Sequence, residues 1–305
     1  MDITKDRLAE GLREAHYVTT DRVGTVLLLA LRLEKPLLIE GPAGAGKTEV
    51  AKVLATILGL PLIRLQCYEG LDEGKALYEW NYQRQLLRIQ AMSAEGVTGK
   101  SGRSWEDVSH DVFSREFLLE RPLLKAIASP QRVVLLIDEV DKADEEFEAF
   151  LLELLSDFQV SIPELGTIRA TERPIVVLTS NRTRELSEAL QRRCLYLWLD
   201  FPGIEKEKEI LALKVPDLPE RLRAQVARFV HGLRQMELHK APSIAETLDW
   251  ARGLVALGII DLDAAAVRET LGLVLKGEDD QRRASGKIAS LLATRSSSSP
   301  PSSSS

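Results

Sequence analysis

The sequence predicts an α/β fold, a parallel five-stranded sheet flanked by helices, with a small all-helical domain at its C-terminal end. Three observations carry that prediction. Short apolar runs alternate with helical patterns between residues 36 and 199. The first of these runs stops at a glycine-rich loop that opens a helix. From Gly203 onward only helical periodicity remains.

In chain order, residues 4–15 and 21–33 read as two short helices, with Thr19, Thr20 or Asp21 available to cap the second. Pro36-Leu37-Leu38-Ile39-Glu40 is a first strand, and the loop Gly41 to Thr48 follows it. Val50, Val53, Leu54 and Ile57 then recur at helical spacing, and Gly59 closes that helix. Leu62 to Cys67 is a second strand. Residues 71–92 read as helix, residues 92–112 as a Gly/Ser/charge-rich surface loop, and Leu118 to Ile127 as a further helix. Val133 to Ile137 has no polar interruption, which suits a parallel strand buried on both faces. After a helix from Glu145 to Leu155, residues 158–162 and 167–170 flank a Pro163/Gly166 turn and read as a β-hairpin. Ile175 to Leu178 and Leu195 to Leu199 complete the sheet, and a helix from Glu185 to Leu190 lies between them. The expected division is a core of residues 1–202, a helical domain of residues 203–292, and a disordered Ser/Pro tail of residues 293–305.

Composition narrows the function classes. The chain has 305 residues, 45% hydrophobic and 28% charged, with a net charge of −6. No global basic field draws it to nucleic acid or to anionic lipid. Two cysteines, Cys67 and Cys194, lie far apart without metal-ligand spacing, which reads as free thiols in a reducing compartment. The N-terminus lacks an apolar signal region, and no apolar stretch is long enough to span a bilayer, so a cytoplasmic protein is expected.

The chemistry concentrates at strand ends. Gly41-Pro42-Ala43-Gly44-Ala45-Gly46-Lys47-Thr48 matches GxxxxGK[ST] in the strand–loop–helix context that a phosphate-binding loop requires. Its glycines let backbone N–H groups close around phosphates at a helix N-terminus. Lys47 is expected to reach the β- and γ-phosphates of ATP, and the Thr48 hydroxyl to ligate Mg²⁺. Asp138 and Glu139 end a buried strand. That pair suits a metal-facing carboxylate followed by a base for the attacking water. Asn181 ends another apolar strand, where its amide is suited to holding the same water. Arg192 and Arg193 follow a helix from which they can project toward a neighbouring subunit's nucleotide. Tyr17 and Val18, just ahead of the core, are the candidates for adenine contact.

Together these motifs resemble a AAA+ ATPase, and within that superfamily the MoxR group. The closer likeness rests on IDEVDKADEEFEAFLLELLSDFQVSI, on the hairpin before VVLTSN, and on RRCLYLWLDFP. LIRLQCYEGLDEGKALYEWNYQRQLL is similar to the CoxD-like subgroup. The resemblance implies Walker A at Gly41 to Thr48, Walker B at Asp138-Glu139, sensor 1 at Asn181 and an arginine finger at Arg193, with Arg192 as the alternative. It also implies an insert within residues 69–112 and a pre-sensor hairpin at 158–170, both facing the ring pore or the substrate, and a helical lid. It implies a hexameric ring that remodels a protein client, with maturation of a molybdenum hydroxylase of the carbon monoxide dehydrogenase type and a von Willebrand factor A-domain partner as the narrow form. One departure stands out: where MoxR proteins carry a lid arginine, this sequence reads Lys240-Ala241-Pro242-Ser243. Among other classes, a nucleic-acid motor would draw on the aromatics of Tyr78-Glu79-Trp80-Asn81-Tyr82-Gln83-Arg84, but the negative charge speaks against it. The Glu139–Asn181 pair argues against a small-molecule kinase, and the lack of an NKxD motif against a GTPase.

Overall fold

A computed structural model of the chain describes residues 3–98, 109 and 111–293. The expected surface loop at 92–112 and the Ser/Pro tail lie largely or wholly outside those residues. By its contacts the chain forms two compact units: Met1–Gly11, Asp21–Gly41 and Lys47–Trp198 in the first, and Leu12–Thr20, Pro42–Gly46 and Leu199–Ser305 in the second.

The first unit is built on the predicted five-stranded sheet, made of β1 (Leu37–Glu40), β2 (Leu62–Gln66), β5 (Val134–Asp138), β8 (Ile175–Ser180) and β9 (Leu195–Trp198). Their order is β2-β5-β8-β1-β9, and every neighbouring pair is parallel. The central strands β5, β8 and β1 are buried throughout, as their unbroken apolar runs require. Edge strand β2 alternates instead, with Leu65 buried and Arg64 and Gln66 exposed. Helices α1 (Lys5–Glu14), α2 (Asp21–Leu33) and α3 (Lys47–Leu58) precede β2.

Three segments depart from the sequence expectation. Residues 71–92 are not one helix. Asp72 caps a short α4 (Glu73–Leu77), accepting from the Lys75 N–H, and β3 (Tyr78–Trp80) follows before α5 (Tyr82–Thr98) begins. Residues 118–127 divide likewise into β4 (Leu118–Glu120) and α6 (Pro122–Ile127), because Pro122 takes the first helical position. Strands β3 and β4 pair antiparallel, Tyr78 opposite Glu120, so a long-range partner overrides the helical pattern of both stretches. After α7 (Glu145–Asp157) come the predicted hairpin strands β6 (Gln159–Ile162) and β7 (Gly166–Arg169), with Gly166 at φ 76° where the turn enters β7. The third departure is α8 (Glu188–Arg193). Ser187 caps it, accepting from the Leu190 N–H, so the helix starts three residues later than expected. Arg192 and Arg193 form its last turn rather than following it.

The second unit holds α9 (Ile204–Lys214), α10 (Glu220–Arg234), α11 (Ile244–Ala256), α12 (Ala264–Val274), α13 (Glu278–Ser285) and α14 (Ile288–Ala293). Its core centres on Trp250 and Phe229, both fully buried, and the Trp250 indole N–H donates to the Thr270 hydroxyl at 2.8 Å. Among the described residues, no helix is long and apolar enough to cross a membrane.

Candidate functional site

The parallel order sets the carboxyl ends of β2, β5, β8 and β1 side by side, where open α/β sheets place ligand chemistry. Asp138 is the last residue of β5 and is 3% exposed. Its Oδ1 accepts the Thr48 hydroxyl at 2.9 Å and the Thr179 hydroxyl at 2.5 Å. Its Oδ2 accepts Arg64 Nε at 3.1 Å and Nη2 at 2.6 Å. Thr48 and Asp138 therefore present hard oxygen donors 2.9 Å apart, a set that suits magnesium bound largely through substrate phosphates. Among the described residues, no group of three His, Cys, Asp or Glu side chains could hold a metal by itself.

Glu139 adopts the left-handed region at φ 56°, which costs energy for a residue with a side chain. Its backbone N–H is held by the Thr179 hydroxyl oxygen at 2.9 Å. One carboxylate oxygen accepts Asn181 Nδ2 at 3.3 Å and the other accepts Gln66 Nε2 at 3.1 Å. The Asn181 carbonyl oxygen in turn accepts Lys47 Nζ at 2.7 Å, and the same ammonium donates to the Gly41 carbonyl at 2.8 Å. Lys47, Asn181 and Glu139 thus form one hydrogen-bonded path. Burial lowers the Lys47 pKa, against the pull of Asp141, Asp138, Glu139 and Glu40, which favour its charged form.

The loop's own backbone needs glycine at two positions, Gly44 at φ 80° and Gly46 at φ 90°. Ala45 N–H donates to the Pro42 carbonyl at 3.3 Å, and Ala43 lies between them. Pro42–Gly46 group with the second unit. There the Ile244 N–H donates to the Gly44 carbonyl at 3.2 Å, and a Cβ on Gly44 would stand only 2.2 Å from that of Ser243. Ser243 itself caps α11 in a reciprocal box with Glu246. Lys240 is paired with Glu246 at 3.1 Å and Arg252 with Asp249 at 3.0 Å. The position where a lid arginine was sought is thus a helix cap.

Sequence reasoning missed Arg64, Gln66, Thr179 and Asp141. Asp141 is 3% exposed and accepts from the Asn181 N–H at 3.2 Å, the Thr183 N–H at 2.9 Å and the Thr183 hydroxyl at 2.7 Å. It ties the segment after β8 to the segment after β5. Beyond it, buried Glu148 accepts from the Ser187 N–H at 2.8 Å and pairs with Arg184. The available signal was positional: Arg64 and Gln66 alternate with apolar residues near the carboxyl end of a strand.

The remaining candidates lie apart from this path. Arg193 is exposed and donates to the Ser156 hydroxyl at 2.8 Å, while Arg192 pairs with Glu188 at 2.8 Å. Tyr17 and Val18 are half-buried in the segment that groups with the second unit. The aromatics suited to base stacking are largely spent on packing. Trp80 is 8% exposed and meets Phe113 edge-on at 5.2 Å, Tyr78 is half-buried, and Tyr82 is exposed. Where this insert approaches the β6–β7 hairpin, an open groove of about 680 Å³ is lined by residues including Asp72, Tyr78, Tyr82, Arg121, Ser161 and Pro163.

These features define a P-loop protein of the AAA type, and comparison with known proteins agrees. Residues 36–194 match the AAA domain (dynein-related subfamily), more than half of the chain, and the protein belongs to that family. The denitrification regulatory protein NirQ of Pseudomonas aeruginosa is 24% identical over 260 residues, covering 82% of this chain and 88% of NirQ. Midasin of Giardia intestinalis is 26% identical over 214 residues, 65% of this chain but 4% of midasin. In fold, the chain resembles a RuvB mutant of Thermotoga maritima, with a TM-score of 0.51 at 19% identity over 87% of this chain and 72% of that one. The MoxR-type AAA+ expectation holds at this level.

Proposed function

We propose that the protein hydrolyses ATP with magnesium, in a homo-oligomeric ring, to remodel or mature a protein client. The observation that carries this reading is the path Lys47–Asn181–Glu139 lying beside the Thr48–Asp138 pair. In this reading Gly41 to Thr48 hold the phosphates, Lys47 contacts the β- and γ-phosphates, and Thr48 and Asp138 hold the metal. Magnesium supplies charge neutralisation across the phosphate oxygens. Glu139 takes the proton of the attacking water, and Asn181, already hydrogen-bonded to Glu139 and Lys47, orients that water. Residues 1–202 act as the ATPase core and 203–292 as the lid. Tyr17 and Val18 contact the adenine, and Arg193 stabilises transition-state charge on a neighbouring protomer's nucleotide.

The client is a protein. Supporting that choice, the insert and the β6–β7 hairpin share an open groove, while the burial of Trp80 takes one of the three aromatics away from a base-stacking platform. The narrow form of the reading is metallocofactor assembly in a molybdenum hydroxylase, with a von Willebrand factor A-domain partner, as for CoxD-like proteins. The denitrification regulatory protein NirQ, a relative, fits a regulatory role for this ATPase.

The test is ATP turnover per protomer as a function of protein concentration, for wild type and Arg193→Ala. Turnover is expected to rise with concentration in the wild type and to fall by about 10³-fold in the variant. Unchanged turnover in Arg193→Ala would remove the trans-acting arginine from the account.

A further inference from the structure

We propose that Arg64 competes with the divalent cation for Asp138, so that this side chain sets how strongly metal tightens nucleotide binding. The inference rests on the ATPase reading above. A carboxylate offers about four lone-pair directions, and Asp138 uses four: two hydroxyls on Oδ1 and two guanidinium nitrogens on Oδ2. A further cation gains a full share of this carboxylate only by displacing a donor. The hydroxyls of Thr48 and Thr179 are neutral, Thr179 being fully buried and Thr48 half-buried at the start of α3. Arg64 is charged, and it is the donor that a second cation repels.

The setting of Arg64 also suits a side chain that yields. It extends from the exposed edge strand β2, and its side chain is 50% exposed while that of Asp138 is 4% exposed. Leaving Asp138 returns the guanidinium to water with little loss of packing. Asp138, by contrast, cannot leave, because its strand is buried from end to end and its side chain is held inside the sheet edge. Arg64 Nη2 also donates to the Gln66 side-chain oxygen Oε1, two residues along the same strand face, which gives the guanidinium a second acceptor when it swings outward.

The experiment measures the dissociation constant of a fluorescent ATP analogue with excess Mg²⁺ and with excess EDTA, and takes their ratio as the metal-dependent gain. Arg64→Gln is expected to raise that gain about tenfold over wild type. Arg64→Lys, which keeps the charge but loses the two-nitrogen grip, is expected to raise it by less, roughly threefold. A gain that is unchanged or smaller in both variants would overturn the proposal and leave Arg64 as a residue that merely positions Asp138. Thermal unfolding checks that Arg64→Gln is folded, and if it is not, the lysine variant decides alone by the same criterion. Wild type that bound the analogue under neither condition would instead remove the ATPase reading, and this inference with it.

Discussion

At the residue scale, the site surrounds its carboxylates with hydrogen-bond donors. Asp141 is the clearest case. Burial by itself would raise its pKa, but the Thr183 hydroxyl and N–H, with the Asn181 N–H, outweigh that and hold the carboxyl below its ordinary value. The sign of the linkage follows. A carboxyl depressed in the folded state contributes stability above its unfolded pKa of about 3.9, and that contribution is lost as pH falls through the folded value. Urea midpoints measured between pH 6 and pH 3 should therefore drop less steeply for Asp141→Asn than for wild type. The variant should already be less stable at pH 6, because an amide nitrogen turned toward these donors satisfies none of them. Parallel pH slopes for the two proteins would mean that Asp141 does not carry the effect.

At the element scale, the most telling parts are those whose ends are fixed by capping. Ser243 caps α11 through a complete box with Glu246, and its neighbour Ile244 donates to Gly44. Replacing Ser243 with Ala should cost about 1 kcal/mol in chemical denaturation, and a variant as stable as wild type would contradict the capping role. Much of the element pattern was legible in the sequence. The three central strands announced themselves because buried parallel strands are unbroken apolar runs, and Gly41 to Thr48 because a phosphate loop needs glycines and lysine at fixed spacing. Residues 118–120 were not legible, since Leu-Leu-Glu suits helix or strand and only pairing with Tyr78 to Trp80, some forty residues away, decides it. The start of α8 was obscured for a simpler reason: Ser187, not the charged run before it, supplies the cap. Arg64 escaped because its meaning depends on β2 lying next to β5, a strand order that no local pattern states.

At the scale of the whole molecule, a AAA-type chain places its chemistry at one edge of a parallel sheet. Lys47, Asp138 and Glu139 gather there, a local concentration of charge that the net charge of −6 does not report. Lys47 and Asn181 are 134 residues apart in sequence, yet the sheet order β5-β8-β1 brings them to 2.7 Å, with Glu139 on the same path. The central claim is that this path hydrolyses ATP and does not merely hold it. Measuring phosphate release and ATP binding side by side for wild type and Glu139→Gln addresses it most directly. The account predicts that the variant binds ATP with magnesium about as tightly as wild type while its turnover falls by roughly 10²–10⁴-fold. Phosphate release by Glu139→Gln at the wild-type rate would contradict it.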